Sequence, residues 1–148
     1  AAPYWDQYAR GMIIGITGGT TKAHIVRATL ESIAFQVNEN LRVMRQDSGI
    51  DIKVMRVDGG PVNNGFLMQF QADILGIPVD VPVITETTAL GAAYLAGLGV
   101  GEFSNLDEIE EKWKLAKRYE PKMDESKRQF LCERWVKAVE RARAWAEK

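Results

Sequence analysis

Three apolar runs, each too short for a helix and each followed by a helical period, divide the first hundred residues and leave few folds open. Met12 to Thr17 is compact and rich in isoleucine and ends in Gly18-Gly19-Thr20-Thr21, which reads as a buried strand and a turn. Val26, Leu30, Ile33, Val37, Leu41 and Met44 then recur at steps of three and four, predicting a long helix that Asp47-Ser48-Gly49 ends. Ile52 to Val57 is the second strand-like run, broken by Gly59-Gly60. Phe66, Phe70 and Ile74 lay out the next helix, stopped by Gly76. Pro78 to Val83 is a third extended piece and Thr87 to Leu98 a third helix. Such alternation predicts an α/β layer whose parallel strands are joined by right-handed crossovers.

Beyond residue 103 the pattern changes. Leu106 to Trp113 predicts a short charged helix, and Glu120-Pro121 punctuates the chain. Asp124 is placed to cap a last helix whose apolar stripe is Leu131, Trp135, Ala138, Ala142 and Trp145. The expected organisation is an α/β lobe over 1–103 and a helical extension over 104–148 packed on it.

Composition excludes several classes. At 148 residues, 46% hydrophobic and 26% charged, the chain reads as one soluble globular domain. A net charge of −1 gives no electrostatic drive toward nucleic acid or an anionic membrane. Lys and Arg gather near the C-terminus, but interleaved Glu and Asp make that a solvated helix face. Ala89 to Gly101, the longest uncharged apolar run, is too short and too rich in Gly and Ala to cross a bilayer. Ala1 to Arg10 is polar and aromatic, unlike a signal peptide, and a loop-like start without Met is expected of a fragment. Cys132 stands alone, as expected in a reducing cytoplasm, and reads as a partly buried small hydrophobe.

The strongest local signal is Val57-Asp58-Gly59-Gly60-Pro61-Val62-Asn63-Asn64, between a strand and a helix. Paired glycines let a ligand approach the backbone, since no Cβ intervenes. A helix start offers free N–H groups and the positive dipole end to an anion. Asn side chains there donate and accept toward a base or ribose edge. Spacing alone leaves a plain tight turn open, and Asn64-Gly65 also fits a hairpin, which the helical period after Gly65 disfavours. A second signal is Ala89, Ala93 and Gly97 on one helix face, fitting tight packing within the domain or a helix at a hinge. His24 has no metal-ligand spacing and reads as structural at a helix start. Asp6, Asp58 and Asp73 are carboxylates without a partner that spacing identifies.

Gly11 to Ile16 with His24 to Glu31, Arg56 to Gly60, Phe66 to Gly76 and Thr87 to Gly97 together resemble the C-terminal region of the FGGY carbohydrate-kinase family, its glycerol-kinase branch in particular. Ala2 to Asp6, Tyr8 to Gly11 and Trp135 to Trp145 extend the resemblance over nearly the whole chain. It implies the actin-like, ribonuclease-H-like fold, with two lobes closing over ATP, residues 1–103 being part of the C-terminal nucleotide-binding lobe without its first strands. It further implies that Gly60 and Asn64 contact the adenosine, with Gly59 as backbone support, and that the helix from Thr87 connects the lobes near their hinge. The implied reaction transfers the γ-phosphoryl group of ATP to a glycerol hydroxyl, giving glycerol 3-phosphate and ADP. Mg²⁺ spreads the phosphate charge, and a carboxylate base takes the hydroxyl proton. By the same resemblance the base, the phosphate-gripping threonine loop and the glycerol contacts lie upstream of Ala1. No catalytic residue or metal ligand is therefore expected in this chain, and alone it should be inactive. Its expected partners are an N-terminal kinase domain and further copies in a homo-oligomer, in the cytoplasm, with neither nucleic acid nor membrane insertion.

The chain departs from the family at Pro61, where Ala is common, at Asn63-Asn64-Gly65, at Gly18, where Arg is common, and at Gln7, where Pro is common. Pro61 removes one N–H donor from the turn. Two alternatives stay open: another FGGY kinase of pentulose type, and a stand-alone, non-catalytic nucleotide-binding module.

Overall fold

In the computed structural model, which describes residues 3–146, one fully buried strand organises everything around it. This is β2 (Val79–Pro82), flanked in the sheet by β1 (Met55–Arg56) and β3 (Leu115–Tyr119). β1 pairs parallel to β2, with Met55 opposite Val79, as the strand–helix alternation predicts. The ladder extends one residue past β1, where the Val57 N–H donates to the Asp80 carbonyl at 3.1 Å. β3 runs antiparallel with a register shift at Val81/Pro82, and sequence reasoning missed it. Its residues, Leu-Ala-Lys-Arg-Tyr, show no apolar alternation, because it is an edge strand facing solvent. The extension expected to be purely helical thus also contributes a strand to the sheet.

Asp80, buried in the middle of β2, is matched by Arg118 directly across the ladder. The guanidinium donates to both carboxylate oxygens, at 2.6 and 2.7 Å, and holds the Asp80 carboxyl below its usual range.

The long helix α1 (Lys22–Ser48) ends as expected at Gly49, whose N–H returns to the Arg45 carbonyl. Helix α2 (Gly65–Leu75) is the most buried helix and stops at Gly76, which takes the left-handed conformation. Phe35 of α1 is the pivot of the helical layer. Its ring lies edge-on to Phe70 at 5.6 Å and stacks on Trp135 at 5.1 Å. Trp135 belongs to α5 (Glu125–Ala142), capped as predicted by Asp124, whose Oδ1 accepts the Ser126 and Lys127 N–H groups.

The remaining elements depart from expectation. Residues 12–17 make no ladder: no backbone hydrogen bond joins residues 11–16 to another described residue. Ile13, Ile14 and Ile16 are 61%, 54% and 60% exposed. The predicted α1 stripe splits, with Leu41 buried and Val37 packed on the core but Val26, Ile33 and Met44 in solvent, since only the middle of the helix meets packed neighbours. Helix α3 (Thr87–Val100) forms where expected but buries no residue. Ala89 and Ala93 are exposed, so tight packing inside the domain fails for them. Gly97 alone is covered, by the Phe103 ring. The short helix α4 covers only Leu106–Glu110, and Trp145 lies beyond α5, exposed. In sum the chain exposes 10309 Å², against roughly 7,600 Å² for a compact monomer of this mass.

Candidate nucleotide site

Leaving β1, the chain turns through Gly59 at φ 81° and ψ 179°, a conformation L side chains rarely adopt. The Gly59 N–H donates to the Thr85 carbonyl at 2.9 Å, which ties this turn to the segment leading into α3. Gly60–Asn63 then form a single 3₁₀ turn that begins with Pro61 near its start, so the proline breaks nothing. A Cβ added at Gly60 would meet no atom within 4 Å. The backbone there is open to solvent, and the glycine keeps it accessible.

Asn64 is the N-cap of α2: its Oδ1 accepts the Leu67 N–H at 3.1 Å. The sequence suggested a free helix start for an anion and missed this cap. The Asn64 side chain keeps its amide N–H₂ for a ligand, while Asn63 donates to the Gly60 carbonyl at 3.3 Å. No Lys, Arg or His lies between Gly59 and Phe66. Arg56, the nearest cation upstream, is held over the Trp113 ring at 4.4 Å beside a cavity of about 330 Å³ that includes neither Gly60 nor Asn64. An open, uncharged turn beside a capped helix suits the neutral part of a ligand better than its phosphates.

The other sequence candidates fall outside this turn. His24 is structural: its Nδ1 accepts the Thr21 backbone N–H at 3.1 Å at the start of α1. Asp73 accepts from Gln69 and from the Lys122 and Met123 N–H groups, joining α2 to the approach to α5. Asp6 accepts three backbone N–H groups, from Tyr8, Ala9 and Ala144, which hold its carboxyl below the usual range. Asp58, next to the turn, is exposed and engages no side-chain partner among the described residues. Cys132 is half-buried, with its thiol pushed up by burial. Among the described residues no cluster of three or more His, Cys, Asp or Glu side chains is arranged to hold a metal, and no helix is long and apolar enough to cross a membrane.

Residues 1–100 match the FGGY family of carbohydrate kinases, C-terminal domain; of these, Ala1 and Ala2 lie outside the described residues. Over 146 residues the chain is 60% identical to a glycerol kinase of Caldanaerobacter subterraneus subsp. tengcongensis, covering 99% of this chain and 29% of that protein. A crystal structure of Plasmodium falciparum glycerol kinase with ADP superposes with a TM-score of 0.84 at 43% identity, over 95% of this chain and 28% of that one. A ligand-bound xylulose kinase from Lactobacillus acidophilus matches at 26% identity with a TM-score of 0.81, over 95% of this chain and 29% of that one. The chain thus spans under a third of the length of these relatives. The sheet and its helices are part of the actin-like, ribonuclease-H-like kinase fold. On the match over residues 1–100, the chain belongs to the FGGY family of carbohydrate kinases and carries its C-terminal domain.

Proposed function

We propose that this chain supplies the adenosine-binding wall of an ATP-dependent kinase that phosphorylates glycerol, with Gly60 and Asn64 as contacts and Gly59 as the hinge of the turn. The observation that carries it is the open backbone face at Gly60, between a parallel strand and a capped helix. The reaction is taken from the likeness to glycerol kinases over 99% of the chain. Lacking a cation, the turn leaves the triphosphate to groups elsewhere in the longer protein. Mg²⁺ would sit among those phosphates, and the base that takes the glycerol proton would come from the N-terminal region. Alone, the chain should release no ADP in the presence of glycerol. The helix α3, which buries none of its residues, fits the connector between two lobes. A homo-oligomer and a cytoplasmic location remain part of this reading.

The test uses a chimaera in which the part of the Caldanaerobacter relative that precedes its match is joined to this chain. Asn64→Asp keeps an acceptor for the Leu67 N–H but loses the amide donor, so the cap survives while a nucleotide contact does not. The KM for ATP should rise about five-fold, near 1 kcal/mol, with kcat and the melting temperature little changed. Gly60→Val should abolish ATP saturation in a protein that still melts normally. An ATP KM unchanged in both variants, or a rise in the glycerol KM instead, overturns the assignment.

A further inference from the structure

Between α3, α4 and the ends of β1 and β2, the chain walls a cavity of about 330 Å³ that its own side chains leave unfilled. Ile84, Leu90, Tyr94, Ile109 and Trp113 give it an apolar, aromatic lining. Two further lining residues, Val83 and Lys114, are joined by a backbone hydrogen bond of 2.9 Å, which ties the end of β2 to the start of β3. Two glycines of α3 mark where this space begins. At Gly97 the Phe103 ring occupies the place of a side chain, and that ring meets Tyr94 edge-on at 5.6 Å. At Gly91, which lines the cavity, an added Cβ would meet no atom within 4 Å. The charged lining is three cations, Arg56, Lys112 and Lys114, against one carboxylate, Glu110. The Arg56 guanidinium lies over the Trp113 ring at 4.4 Å and faces Glu110 at 3.9 Å, beyond hydrogen-bond reach.

We propose that this cavity binds a small aryl carboxylate, with its ring against Leu90, Tyr94 and Trp113 and its carboxylate on Arg56. The ring would cover apolar surface now open to water, such as Ile84, which is 50% exposed. The carboxylate would accept from the guanidinium, a charge-assisted bond that Glu110 is too far away to make. A neutral ligand leaves the excess positive charge unmatched, and a cationic one is repelled by it. The volume lies at the small end of the range for small-molecule sites, which fits one or two fused rings and a head group. Neither Gly60 nor Asn64 lines the cavity, so the proposal does not depend on the adenosine reading.

The probe is naphthalene-2-carboxylate, titrated without nucleotide into this chain and into the chimaera described above. Calorimetry should give one site in both, and NMR shifts in the chain should concentrate at the Gly91 and Tyr94 amides and the Trp113 indole N–H. Arg56→Gln, at an exposed position, should weaken binding about ten-fold or more and leave the melting temperature unchanged. Gly91→Leu should abolish binding by filling the space, with a melting temperature equal to the parent's or higher, since glycine is the poorer helix former. Naphthalene-2-methanol, the same ring without the charge, should bind at least about ten-fold more weakly to the parent and equally to Arg56→Gln. Four results overturn the proposal: no saturable binding, shifts scattered over the chain, undiminished binding to a Gly91→Leu variant that melts like the parent, or binding to the chain that the chimaera lacks. Equal affinity for the acid and the alcohol overturns the anionic head. Nucleotide plays no part in the readout, so this cavity and the adenosine site can fail separately.

Discussion

The middle and the first turns of α1 show how differently one helix can be used. Its middle, with Ala34, Phe35 and Leu41, is sealed by α2 and α5 into a core in which Leu67, Ile74 and Val79 are wholly buried. Its first turns carry Ile25 and Val26 into solvent, beside residues 11–17, and α3 likewise buries no residue. The apolar content is similar in both places; what differs is whether this chain supplies the other surface. Stability belongs to the sealed side, to which the open side adds little.

Substitutions should therefore divide the molecule sharply. The largest effect is expected of Phe35→Ala, which removes the ring shared by Phe70 and Trp135. A loss of about 3–5 kcal/mol in denaturant unfolding is expected. A loss under 1 kcal/mol would mean that the helical layer is no better packed than α3. A smaller, pH-dependent effect is expected at Tyr4, which fastens the N-terminal segment to the sealed side of α1. Its hydroxyl donates to Glu39 at 2.8 Å, and burial first, then that bond, pushes its pKa up to about 12. The folded value lies above the unfolded one, near 10, so its contribution is complete below pH 10 and is lost as pH rises toward 12. Melting curves of Tyr4→Phe and the parent should converge over that window; a constant gap across it would show that the ionisation is not linked to folding. The smallest effect is expected on α3, where Ala93→Leu should stay within about 0.5 kcal/mol in this chain, as for any exposed helix position. The same change in the chimaera should cost roughly 1–3 kcal/mol if a neighbour closes on that face. Equal results in the two settings would leave α3 without a partner.

This division also explains which features were legible in the sequence. The turns at Gly49, Gly59-Gly60 and Gly76, the Asp124 cap and the parallel pairing of β1 with β2 are local or nearly so, and each was readable. Residues 12–17 were read as a buried strand and are neither buried nor paired in a ladder, since an apolar, β-branched run says only that its side chains favour cover, not that this chain contains it. β3 escaped because its five residues lie at a solvent-facing edge and are recruited by Asp80 through Arg118, a pairing 38 positions apart. At the candidate site the glycines were readable from their spacing. The capping role of Asn64 was not, since a cap and a ligand contact call for the same residue type.

Asp6 has a further consequence, for the order in which the chain assembles. It accepts the Ala144 N–H across 138 positions, and beside it Arg10 donates to the Ala142 carbonyl and Ala146 to the Tyr8 carbonyl. Closing a flexible loop of that length costs about 4 kcal/mol in chain entropy, more than a few exposed hydrogen bonds return. The clasp becomes favourable only after α1, α2 and α5 have docked and brought the two ends together. It forms last and opens first, so residues 6–10 and 142–146 part as a coupled pair while the sheet and its helices stay intact.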